Sequence, residues 1–120
     1  MEKTYMIERY EAFENAEEVW FWFCACLQAR ADGLRSRTDY EGKPRPCEVG
    51  DIYKIIKRLK FNGQISNRQL RVMYNWGELH FPPYYDRRAK QSEIALWEEG
   101  IKSLETILIE KKIIINQRIV

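Results

Sequence analysis

The pattern of hydrophobic and polar positions predicts a chain built from helices. Asn15 followed by Glu18 is a helix-start signal and Gly33 is a stop signal, so we predict a first helix over residues 16–32. Its centre, residues 19–27, is apolar on every side, which indicates a helix buried within a domain. A bilayer span needs about 20 apolar residues, so this run is too short to cross a membrane. We expect Trp20 and Phe23 to lie in the core.

A helix over residues 67–76 has both of its ends specified by the sequence. Ser66 and Gln69 have the spacing of a capping box, and Gly77 is the expected stop. A tight turn at Gly63 separates this helix from the one before it. Two short helices joined in this way predict a helix-turn-helix unit over residues 48–77.

Both helices of this unit turn basic side chains to one face. Residues three and four positions apart return to the same side of a helix, so the faces can be assigned from spacing. The outward polar residues are Lys54, Lys57 and Arg58 on the helix over about residues 49–61, and Arg68, Arg71 and Asn75 on the next helix. Such a surface is typical of nucleic-acid-binding proteins.

A long last helix is predicted over residues 86–112, with Asp86 as its N-cap. Apolar residues recur along it at intervals of three and four: Ile94, Trp97, Ile101, Leu104 and Leu108. This stripe either closes the core against the first helix or forms the seam of a homodimer, and we favour the core. The expected fold is therefore all-α, a compact bundle of about four helices in a single domain over residues 1–120.

Composition adds an uneven distribution of charge. The chain has 120 residues, 45% of them hydrophobic, and a net charge of +2, which fits one domain with a real core. Residues 1–33 carry 3 basic and 7 acidic side chains, residues 34–91 carry 13 and 6, and residues 92–120 carry 4 and 5. The basic middle favours a polyanionic partner, and a merely solvated basic face is the alternative.

The sequence offers little for metal or catalytic chemistry. There are three cysteines, Cys24, Cys26 and Cys47, and one histidine, His80. Cys24 and Cys26 are two residues apart on a helix and cannot both face one metal, so we expect no metal site and no cofactor. An odd cysteine count without a signal peptide predicts buried, reduced thiols in the cytoplasm.

No phosphate loop or catalytic motif is present, so we expect a non-enzymatic protein. The acidic residues near Asn15 predict an exposed face at the helix entry.

Residues 65–73, Ile-Ser-Asn-Arg-Gln-Leu-Arg-Val-Met, resemble the opening helix of the region-four domain of sigma factors and of related phage regulators. The resemblance implies duplex DNA binding through a helix-turn-helix. That family continues with a Ser-x-x-Glu-Ile-Ala helix, whereas residues 81–83 here are Phe-Pro-Pro. The element that enters the DNA groove is therefore either the helix bearing Arg68 and Arg71 or the amino end of the last helix, with Arg87 and Arg88.

The sequence thus predicts a DNA-binding, regulatory protein. Lys54, Lys57, Arg58 and the arginines of a basic loop over residues 34–47 would position the phosphates. Arg68, Arg71 and Asn75 would reach base edges in the major groove. The alternative is an adaptor that uses the last helix and binds an acidic protein surface through the same basic patch.

Overall fold

The structure, a computed structural model, describes residues 11–33 and 44–115. Within these residues the chain is helical and contains no strand, which confirms the all-α prediction. The elements are α1 (Ala16–Ala31), α2 (Val49–Phe61), α3 (Asn67–Leu79), a 3-10 helix (Pro83–Tyr85) and α4 (Gln91–Glu110). The buried apolar side chains of these elements form one cluster.

Helix α1 is the central element of this cluster. Its predicted start is confirmed, because the Asn15 side chain accepts a hydrogen bond from the Glu18 backbone N–H at 2.8 Å. The helix packs against α2, α3 and α4, which bury most of its apolar residues and leave Phe21 and Leu27 partly exposed. Trp20 and Phe23 are fully buried, as predicted. The Trp20 indole N–H donates to the Met73 carbonyl oxygen of α3 at 2.8 Å, so this buried polar group is satisfied.

The turn between α2 and α3 follows the sequence signals closely. Gly63 has a φ of 73°, and the Gln64 N–H donates to the Leu59 carbonyl at 2.8 Å, which is the Schellman ending of a helix. The Ser66 hydroxyl then accepts from the Gln69 N–H at 3.0 Å, which with the reciprocal bond completes the predicted capping box. Helices α2 and α3 each pack more extensively on α4 than on one another.

The prediction that Gly77 ends α3 is wrong. The helix continues to Leu79, and Gly77 is buried where α3 crosses α1. A Cβ atom on Gly77 would lie 2.5 Å from the Cys24 sulfur and 2.8 Å from the Trp20 indole nitrogen. The missing side chain therefore permits a close helix crossing. The left-handed residue at the end of α3 is instead His80, with a φ of 56°.

The predicted start of the last helix at Asp86 is also wrong. Helix α4 begins at Gln91, and the Glu93 carboxylate accepts from the Lys90 N–H at 3.0 Å. The Asp86 carboxylate instead accepts from the Arg88 backbone N–H at 2.8 Å and from the Arg88 guanidinium. Asp86 therefore caps a short turn that precedes α4, because its carboxylate accepts from the backbone two residues further on.

The apolar stripe of α4 faces the core of its own chain. Trp97, Leu104 and Leu108 are fully buried. The alternative use of this stripe as a homodimer seam stays a prediction, and three of its five residues are already covered. The helix ends at Glu110 rather than at residue 112, because Lys112 takes a φ of 61° that a right-handed helix does not allow.

Candidate nucleic-acid interface

The predicted contact residues of α2 all point to solvent. Lys54, Lys57 and Arg58 are exposed, because the opposite face of α2 buries Ile52, Ile55, Ile56 and Leu59. Among the described residues, none of the three cations is paired with a carboxylate. The Lys57 ammonium lies 5.5 Å from the ring centroid of Tyr53, a weak cation–π contact. The charges of this face are thus available to an external anion.

The outer face of α3 is similarly open. Arg68, Arg71 and Asn75 are exposed, while Met73 and Trp76 anchor the other side of the helix in the core. In the part of the chain that the structure describes, the two arginines form no ion pair. The capping box fixes where α3 begins, so it also fixes the direction in which both arginines leave the helix.

Arg68 and Arg71 line a cleft of about 260 Å³ between α3 and the first turn of α4. Lys90, which immediately precedes α4, borders the same cleft together with Ser92 and Glu93. The Glu93 carboxylate is engaged by the Lys90 backbone N–H at 3.0 Å. Three cations, one carboxylate and the amino end of a helix therefore meet in one concavity, and its net positive charge attracts anions. Lys90 joins this site only through the tertiary packing of α4 on α3.

Arg87 and Arg88 do not line that cleft. Both are exposed, but the Arg88 guanidinium donates two hydrogen bonds to the Asp86 carboxylate, at 3.1 and 3.0 Å. These bonds lower the pKa of Asp86 and keep a negative charge beside Arg88. Of the two predicted contact residues in this turn, Arg87 is the one that pairs with no described carboxylate.

The basic loop predicted over residues 34–47 lies mostly outside the described residues, including Arg35, Arg37 and Lys43. Arg45 is described, and it is a structural residue rather than a phosphate contact. Only 8% of it is exposed, and its guanidinium donates to the backbone carbonyls of Glu11 and Ala12 at 3.0 and 3.2 Å. The guanidinium also lies 4.3 Å from the Phe13 ring centroid. Arg45 thus links the segment that precedes α1 to the segment that precedes α2.

Of the acidic residues predicted to form an exposed face at the helix entry, Glu11 and Glu14 are exposed, whereas Glu17 and Glu18 in the first turn of α1 are partly buried. The Glu17 carboxylate is half-buried and accepts hydrogen bonds from the Tyr84 hydroxyl at 2.8 Å and from the Trp97 indole N–H at 2.9 Å. Burial and the bond to Glu17 raise the pKa of Tyr84 above its usual value. Glu17 therefore ties the 3-10 helix and α4 to α1. Periodicity along one helix gives no signal for such a contact.

The three cysteines are buried thiols. Burial, with the nearby Glu78 carboxylate, raises the pKa of the Cys24 thiol to about 12, so it stays protonated and unreactive at neutral pH. Within residues 11–33 and 44–115, no three His, Cys, Asp or Glu side chains are grouped so that they could hold a metal ion. Over the same residues, no helix combines the length and apolarity needed to cross a membrane.

Compared with known proteins, the chain matches no family model, no curated protein and no solved structure.

Proposed function

We propose that the protein binds duplex DNA through the exposed faces of α2 and α3 and acts as a non-enzymatic regulator. The observation that carries this proposal is the cleft in which Arg68 and Arg71 meet Lys90 at the amino end of α4. The three cations outnumber the one carboxylate that lines the cleft, and a net positive charge raises the local concentration of a polyanion. The likeness of residues 65–73 to region-four domains of sigma factors supports the same class of ligand.

In this proposal the two helices have different tasks. Lys54, Lys57 and Arg58 on α2 contact phosphates, which contributes affinity without sequence selection. Arg68, Arg71 and Asn75 on α3 reach base edges, where an arginine recognises guanine and an asparagine recognises adenine. Lys90 contacts a backbone phosphate, and the amino end of α4 adds a partial positive charge beside it.

The double variant Arg68→Ala/Arg71→Ala tests this assignment. Alanine is the best helix former and both side chains point to solvent, so the variant should fold as the wild type does. Each lost phosphate contact should reduce the slope of log affinity against log salt by about 0.9. A lost base contact should instead relax the sequence preference by about 1–3 kcal/mol at one base pair.

The matched control is Arg30→Ala/Lys102→Ala, which removes the same charge from exposed positions outside the cleft. Binding to random duplexes, measured by fluorescence anisotropy at several salt concentrations, should weaken only in the first variant. Equal binding by both variants would show that α3 is not part of the DNA interface. If Arg87→Ala/Arg88→Ala alone abolished binding, the groove-entering element would be the amino end of α4.

A second candidate is a protein-interaction adaptor. It is favoured by an exposed set of apolar side chains at the end of α3, in which Leu79 is 63% and Tyr85 is 69% exposed. The Tyr85 ring packs edge-on against Tyr84, with centroids 4.7 Å apart, and faces Phe81 at 6.0 Å. Aromatic clusters of this kind are enriched at protein interfaces. If an acidic protein partner binds and generic duplex DNA fails to compete with it, the adaptor is the correct function.

A further inference from the structure

A second groove, of about 640 Å³, lies between α2, the segment that leads into α2 and the turn after α4. Its volume is within the range of about 300–1,000 Å³ that small-molecule sites occupy. It is separate from the cleft at Arg68 and Arg71, with which it shares no lining residue.

The groove has an apolar floor and a cationic rim. Cys47, Ile55 and Ile113 are buried and form the floor. Lys54, Arg58 and Lys111 border the same groove and are exposed. The rim residues come from two elements that are distant in sequence, so only the fold brings the three cations together.

The rim carries an excess of positive charge. Over the described residues, neither Lys54, Arg58 nor Lys111 forms an ion pair. The carboxylate that borders the groove, Asp51, is engaged by the Glu48 backbone N–H at 2.8 Å. Three cations therefore face one carboxylate across a floor that water solvates poorly.

We propose that this groove binds small amphiphilic anions, molecules in which an aliphatic or aromatic body carries a carboxylate, sulfonate or phosphate group. The body covers the floor formed by Ile55 and Ile113, where burial of apolar surface contributes free energy. The anionic group lies at the rim, within reach of the lysine ammonium and arginine guanidinium groups, which form charge-assisted hydrogen bonds. A purely polar anion would leave the floor uncovered, and a neutral apolar molecule would leave the cations without a partner.

The test uses the full chain and the fluorescent probe 8-anilinonaphthalene-1-sulfonate, which has an aromatic body and one sulfonate. We expect a saturable rise in fluorescence that octanoate reverses, while acetate at the same concentration does not. Equal competition by acetate would show a site for simple anions and would overturn the amphiphile assignment. Absence of saturable probe binding would overturn the proposal as a whole.

Charge variants locate the bound probe. Lys54→Gln/Lys111→Gln should weaken probe binding roughly tenfold, the effect expected for loss of a charge-assisted hydrogen bond. The control, Lys57→Gln/Lys102→Gln, removes two exposed charges that do not line the groove and should bind as the wild type does. Circular dichroism verifies that both variants fold. Equal affinities in the two variants would place the probe elsewhere, for example on the aromatic set at Tyr85, and would refute the groove.

Lys54 and Arg58 belong to both this groove and the proposed DNA interface, but the two proposals can be tested separately. Lys111 borders the groove but has no place in the proposed DNA interface, so Lys111→Gln alone should weaken probe binding and leave DNA affinity nearly unchanged. Failure of duplex DNA to bind would leave the probe result intact, and failure of the probe to bind would leave the DNA result intact.

Discussion

Replacing Gly77 with alanine should destabilise the protein, although alanine favours a helix. The new Cβ atom would lie 2.5 Å from the Cys24 sulfur and 2.8 Å from the Trp20 indole nitrogen, both well inside normal contact distances. Neither neighbour can move aside easily, because Trp20 and Cys24 are buried in the central helix. A shift of Trp20 would also break the hydrogen bond from its indole N–H to the Met73 carbonyl, which measures 2.8 Å.

The magnitude follows from three contributions of different sign. Alanine in place of glycine stabilises a helix interior by about 1 kcal/mol. Overpacking a core typically costs about 1–3 kcal/mol. Leaving a buried donor and acceptor unpaired costs about 1–3 kcal/mol more. The two costs exceed the gain, so we expect the free energy of unfolding to fall by about 3 kcal/mol, equivalent to roughly 10 °C in melting temperature.

Gly50→Ala provides the matched control. Gly50 lies in the first turn of α2, and a Cβ atom there would meet nothing within 4 Å. The same substitution should therefore stabilise the protein, by about 0.5 kcal/mol. Urea denaturation followed by far-ultraviolet circular dichroism measures both variants against the wild type. A Gly77→Ala variant as stable as Gly50→Ala would refute the close crossing of α1 and α3.

Two further predictions concern the end of α4 and the response to high pH. Lys112 has a φ of 61°, so Lys112→Gly should raise the free energy of unfolding by about 1 kcal/mol. Lys111, one residue earlier, has a φ of −88°, so Lys111→Gly should lower it. Urea midpoints that rank the two variants in the opposite order would contradict this. The pKa of Tyr84 in the folded protein is raised above its unfolded value of about 10. The stability that its bond to Glu17 contributes is therefore fully present below about pH 10 and is lost as the pH rises through the folded pKa. Between pH 9 and 11 the free energy of unfolding should fall less in Tyr84→Phe than in the wild type. The same pH dependence in both proteins would show that the Tyr84–Glu17 bond does not contribute to stability.

Helix ends were predictable where the signal is local. The Asn15 cap, the capping box at Ser66 and the left-handed Gly63 all involve residues within a few positions of each other, so the sequence contains the complete interaction. Gly77 is different. A glycine that ends a helix and a glycine that admits a neighbouring helix look the same in one sequence, and only the packing of α1 on α3 distinguishes them.

The same physical limit applies to the candidate sites. Helical periodicity was sufficient to predict that Lys54, Lys57, Arg68 and Arg71 are exposed. It contains no information about which cations become neighbours. The approach of Lys90 to Arg68, and of Lys111 to Lys54, depends on how α4 packs against the other helices. Grooves and clefts are therefore properties of the tertiary structure, even when every residue in them was recognised as exposed.

Helix α3 carries the residues of the proposed binding surface and the residues of the core on opposite faces. Its buried side carries Met73 and Gly77, and its exposed side carries Arg68 and Arg71. Because the arginines form no ion pair with the described residues, removing them costs the fold little, whereas a methyl group at Gly77 affects the core. Residues without shared contacts have nearly additive effects. The Arg68→Ala/Arg71→Ala variant should thus change ligand affinity at constant stability, and Gly77→Ala should do the reverse as long as the protein stays folded. Parallel changes in both quantities would mean that the outer face of α3 contributes to the core.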